Sequence, residues 1–166
     1  MSRKRGFTLI ELLVVITIVA ALAVVVFVAL NPAKRLIDAR DARRTTDVDS
    51  VLTAIHQSIV DNKGSYPSNM PAAGTEAQLG TGASGCAIAT GGCAVTAAAC
   101  VDLMTGTNNL AKYLKSLPID PLGGTAYTAA KTGYSVVVDT NGIVTVRSCG
   151  TGTGTTEGTV DISSSR

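Results

Sequence analysis

Glu11 is the only ionisable side chain in the 24 consecutive positions from Phe7 to Leu30, which are otherwise almost entirely apolar. A carboxylate inside such a stretch costs on the order of a few kcal/mol to place in hydrocarbon, so it calls for a cationic partner or a hydrated interface. Brought together in a low-dielectric bundle, opposite charges would favour one axial register over others. The second reactive set is Cys86, Cys93, Cys100 and Cys149, all beyond the apolar stretch. An exported domain of this size can use two disulfides, and four cysteines permit three pairings among which the sequence does not choose. Free thiols and a zinc site are the alternatives, the latter disfavoured because no C-x-x-C pair or nearby His accompanies them. His56 stands alone at helical positions and reads as a structural or surface residue. No G-x-S-x-G, Walker-type loop or cysteine with an evident base is present, so no catalytic constellation emerges.

The elements that must position these residues begin with the apolar stretch itself. As a helix rising ~1.5 Å per residue it spans roughly 36 Å, enough to cross a bilayer. Arg3, Lys4 and Arg5 precede it and hold the N-terminus on the cytoplasmic face, sending everything after about Asn31 across. An ordinary secretory signal would have a shorter apolar region ending in a small-residue cleavage site. The net charge is +2, yet a chain beginning at Phe7 carries 11 basic against 12 acidic side chains, and from Lys63 onward the count is six of each. That balance gives no electrostatic case for nucleic-acid binding. The remainder is rich in Ala, Gly, Thr and Ser with few aromatics, so its independent core should be small.

Gly6-Phe7-Thr8-Leu9-Ile10-Glu11, following the basic leader, resembles the class III signal of type IV pilins and type II secretion pseudopilins. The resemblance implies cleavage after Gly6 by a membrane-embedded prepilin peptidase, N-methylation at Phe7, and survival of the apolar helix as an anchor. A residue without a side chain leaves the bond open to a protease and disfavours continuing the helix through it. The partner implied for Glu11 is the Phe7 amine, in the same subunit or in a neighbour. Other implied partners are copies of the chain itself in a helical homopolymer, an inner-membrane platform protein, an assembly ATPase, and membrane lipid before assembly.

The domain reading is a leader over 1–6, a long helix over 7–62 with 7–30 transmembrane, and an extracytoplasmic head over 63–166. Asn31-Pro32 predicts a kink, or else the end of the first helix, since proline removes a helix hydrogen bond. The apolar pattern resumes at Leu36, Ile37, Val48, Val51, Leu52, Ile55 and Ile59. Between Lys34 and Asp49, Lys34–Asp38, Arg43–Asp47 and Asp41–Arg44 read either as a solvated face or as charges that pair between subunits. Lys63 to Pro67 supplies helix breakers. The stretch 72–107 reads as loop, and Asn109 to Leu117 as a short amphipathic helix. Tyr134 to Thr140 and Ile143 to Arg147 flank Asn141-Gly142 and predict an antiparallel hairpin, with a third strand near Tyr127. Thr151 to Arg166 reads as a mobile surface tail.

The fold class expected is therefore α+β, a long N-terminal helix packed on a small antiparallel sheet. The function expected is a non-enzymatic filament subunit serving adhesion, motility, DNA uptake or protein secretion. Its place is the inner membrane before assembly and a surface or periplasmic filament after it. Pro118-Ile119-Asp120-Pro121-Leu122-Gly123-Gly124 resembles the loop leading into the sheet of many pseudopilins. Major pseudopilins often bind calcium, for which Asp120 and Asp139 are the imaginable oxygen ligands, although no run of alternating carboxylates is present. The alternative function is a membrane-tethered binding module or enzyme that uses the segment only as an anchor.

Overall fold

The computed structural model describes residues 6–89, 91–124, 126–151 and 162–166. The chain divides into two compact units, Met1–Asp38 and Ala39–Arg166. The fold is α+β: a long, interrupted N-terminal helix and a four-stranded antiparallel sheet.

Helix α1 runs Leu9–Leu30 and opens on Thr8, whose extended backbone and side-chain oxygen cap it. None of its residues is buried in the single chain. Its end is a one-residue break. Asn31 adopts a left-handed conformation (φ 39°, ψ 74°), which Asn tolerates better than most residues. Helix α2 restarts at once, Pro32–Asp61. Proline suits this first position because the N–H it lacks would have had no intrahelical partner. Asn31 then serves the second helix too: its carbonyl accepts from Arg35 N at 3.3 Å and its Oδ1 lies 3.5 Å from Lys34 N. The interruption expected at Asn31-Pro32 is thus a stop and restart.

From Arg44 onward α2 buries one stripe: Arg44, Val48, Val51, Leu52, Ala54, Ile55 and Ser58. It closes with Gly64 N donating to Ile59 O at 2.8 Å and Lys63 N to Val60 O at 3.3 Å. That pairing is a Schellman motif, and the left-handed residue it needs is Lys63 (φ 56°), with Gly64 following.

The sheet has the order β1-β2-β3-β4, with β1 Glu76–Gln78, β2 Tyr134–Val138, β3 Val144–Ser148 and β4 Ser163–Ser165, all neighbours antiparallel. Tyr134, Val136, Val138, Val144 and Val146 alternate onto one face and form a core with the α2 stripe, Leu79, Leu103, Leu110 and Ile162. On the other face Glu76 accepts from Ser135 Oγ at 2.5 Å and from Ala94 N at 3.0 Å. The cysteine-bearing loop therefore covers this polar face.

The expected hairpin is present, but its turn is not a two-residue one. Asp139 N donates to Ile143 O at 2.9 Å and Gly142 has φ 87°, while Asn141 keeps a negative φ. A three-residue loop with Gly at its left-handed position satisfies the same residues.

Four expectations are corrected. The third strand is not near Tyr127, where only an isolated Thr128–Lys131 bridge occurs; it is β1, inside the stretch read as loop. Its residues have little strand propensity and are held by pairing with β2. The helix expected over 109–117 is a single 3-10 turn, Leu110–Lys112, capped by Asn109. Pro118 bars helical continuation from Leu117, and the apolar residues anchor the segment without further turns. The tail is not wholly mobile: Ile162 is buried and β4 pairs with β3, while positions 152–161 lie outside the described residues. The charged cluster on α2 is not only a surface feature, because Arg44 is fully buried.

Candidate processing and assembly site

Gly6 and Phe7 lie immediately before the cap of α1, outside the helix. The first rung of the helical ladder is Leu12 N to Thr8 O at 3.3 Å, so the carbonyls of Gly6 and Phe7 take no part in it. A Cβ built on Gly6 meets nothing within 4 Å. Crowding within the chain therefore does not require glycine there. Phe7 is 82 % exposed. Arg3, Lys4 and Arg5 lie outside the described residues.

Thr8 and Glu11 stand at the Thr-x-x-Glu spacing of a capping box, of which the threonine half is formed. Thr8 Oγ1 accepts from Glu11 N at 3.3 Å, and the Thr8 hydroxyl lies 3.3 Å from Glu11 Oε2. An acid in the first turn also favours the positive end of the helix dipole. Sequence reasoning singled out Glu11 but missed Thr8; the signal available was the three-residue spacing between them.

Behind this cap, α1 presents apolar side chains all round, with Leu9, Ile10, Leu12, Val24, Phe27 and Val28 among those exposed. Thr17 satisfies its hydroxyl locally by donating to Val14 O at 2.8 Å. At 22 residues, α1 is long and apolar enough to cross a membrane, as a single-pass anchor must be.

Within the unit Ala39–Arg166, Arg44 of α2 makes a bidentate pair with Asp120, Nε to Oδ2 at 2.7 Å and Nη2 to Oδ1 at 2.8 Å, both side chains fully buried. Its Nη1 donates to Asp41 Oδ1 at 2.9 Å. Burial alone would lower the guanidinium's pKa; the hydrogen bonds and charges of Asp120 and Asp41 more than offset it and hold the group above its ordinary value. Gly150 makes room for this pair, since a Cβ there would lie 2.4 Å from Asp120 Oδ2. Two further bonds fasten α2: Tyr134 donates to Asp47 Oδ2 at 2.7 Å and Ser58 to Asn108 O at 2.7 Å. Burial first, and the Asp47 hydrogen bond second, push the Tyr134 phenol well above its usual range. Arg43 keeps its expected pairing with Asp47 at 3.8 Å.

The same contacts occupy the oxygens named for calcium. Both Asp120 oxygens are committed to Arg44, and Oδ1 also accepts from Leu122 N at 2.8 Å. Asp139 Oδ1 accepts from Ile143 N and Asn141 N, and those bonds lower its pKa. Among the described residues no three His, Cys, Asp or Glu side chains gather into a metal-holding group. His56 Nε2 is buried without a hydrogen-bond partner. The cysteines pair as Cys86–Cys100 and Cys93–Cys149.

Residues 1–27 match the prokaryotic N-terminal methylation motif, which is the class III signal of type IV pilins and pseudopilins. The match spans residues 1–8 and most of α1 and leaves the rest of the chain unassigned. Comparison with curated proteins and with solved structures returns no match.

Proposed function

We propose that the chain is a prepilin: the structural precursor of a pilus-like or pseudopilus filament subunit. The observation that carries this reading is the conjunction of the matched motif with an α1 that has no buried residue in the single chain. Such a helix must be covered by lipid before assembly and by copies of itself afterwards, and lateral burial of its apolar surface drives the second step. In this reading residues 1–6 are a cytoplasmic leader, the helix through 62 is anchor and then filament core, and 63–166 is the head outside the membrane. A prepilin peptidase hydrolyses the Gly6–Phe7 bond, Phe7 is N-methylated, and a platform protein and ATPase draw the subunit into the filament. The new Phe7 ammonium then lies four residues from the Glu11 carboxylate, in reach within one chain or between neighbours.

The test is intact-mass and N-terminal peptide mass spectrometry on protein from the native membrane or a sheared surface fraction. A terminus at N-methylated Phe7 is expected. An intact Met1, or a cut beyond Ala29, would overturn the reading and leave a tethered or secreted domain.

A further inference from the structure

The Gly6–Phe7 bond lies just outside α1, whose start is set at Thr8. A helix start leaves its first N–H groups without intrahelical partners, and an uncapped start can shift by a residue or more in either direction. Were α1 to begin earlier, the Gly6 carbonyl would accept from Ile10 N–H and curl into the ladder, closed to a nucleophile. Were it to fray, the bond would lose any fixed orientation to the helix. Neither occurs here. Thr8 is extended (φ −83°, ψ 149°), its Oγ1 takes the Glu11 N–H, and the ladder starts at its own carbonyl. The matched methylation motif covers this stretch, so in the prepilin reading the processing reaction falls here independently of the cap.

We propose that Thr8 is a positioning residue for processing: by capping α1 it keeps the Gly6–Phe7 bond outside the helix, open to a membrane peptidase that has docked α1. This rests on the prepilin reading. The peptidase adds water across the bond, leaving the Gly6 carboxylate on the leader and the Phe7 amine on the chain; Thr8 touches neither and acts through backbone geometry. Orientation of the reacting bond lowers the barrier, so the loss falls on turnover more than on docking. Glu11 is dispensable for this role, because the essential acceptor is Thr8 Oγ1 and the donor is a main-chain N–H.

The experiment follows cleavage of the full-length chain by purified prepilin peptidase in detergent micelles, with kcat and KM read by mass spectrometry. Thr8→Val keeps the side-chain shape and removes the acceptor; kcat/KM is expected to fall about fivefold, mostly in kcat, the population change that loss of one cap brings. Thr8→Ser and Thr8→Asn, which both cap, are expected within about twofold of wild type. Wild-type rates for Thr8→Val would overturn the proposal, and so would Thr8→Asn as slow as Thr8→Val, which would mean that the peptidase reads the threonine itself. Intact head disulfides in each variant exclude misfolding. A wild-type chain left uncut sinks the prepilin reading and this inference with it, whereas a wild type cut after Gly6 with an unaffected Thr8→Val sinks this inference alone.

Discussion

Among the described residues, the Glu11 carboxylate has the Thr8 hydroxyl at 3.3 Å as its hydrogen-bond donor, a weak contact for a charge flanked by hydrocarbon. Removing one partner of a desolvated charge pair costs several kcal/mol, because the other is stranded. Glu11→Val is therefore expected to insert in the membrane as readily as wild type while sheared filament yield drops at least about tenfold; equal yields would remove the charge-pairing role. Glu11 was legible in the sequence because the one ionisable side chain in 24 consecutive positions contradicts its surroundings. Thr8 was easier to pass over, since a hydroxyl in a membrane helix ordinarily satisfies itself, as Thr17 does, and only its three-residue spacing to Glu11 marks it.

Helix α2 is held to the head by an ion pair that joins residues 76 apart in sequence. Asp120→Ala would strip buried Arg44 of its bidentate acceptor, at a cost of about 3–5 kcal/mol; the double change Arg44→Met with Asp120→Leu is expected to recover most of it. Denaturant unfolding of the detergent-solubilised chain distinguishes them, and equal stabilities for wild type and Asp120→Ala would deny the pair its role. Pattern alone placed Arg44 in an interleaved charge cluster, and nothing local reveals a partner so distant. The same limit explains the strands. β2 and β3 announce themselves through β-branched residues around a turn dipeptide. Glu76-Ala77-Gln78 and Ser163-Ser164-Ser165 become strands by pairing with a neighbour, whose identity only the folded chain defines.

Across the whole molecule, the head depends on its two cross-links. Cys86–Cys100 closes a separation of 14 residues, and Cys93–Cys149 joins the same loop to the residue after β3 across a separation of 56. On chain-entropy grounds the longer closure is worth about 4 kcal/mol. Replacing Cys93 and Cys149 together by serine is expected to lower stability by roughly that amount. It should also raise hydrogen exchange in the loop and in β4 ahead of β2 and β3. A uniform loss of protection would show instead that the head opens as one unit. That disulfides would support a small core was readable from composition; which cysteines meet was not, because pairing follows from where β1 and its following loop lie on the sheet.

The single-residue break at Asn31 also bears on depth. Pro32 carries no N–H, so the Val28 carbonyl has no donor one helical turn ahead. An orphaned carbonyl sinks into hydrocarbon only at a penalty of several kcal/mol. It works as a waterline: α1 can tilt or be withdrawn from the bilayer, but it resists sliding further in. In the prepilin reading the C-terminal limit of the anchor is thereby marked by the main chain itself.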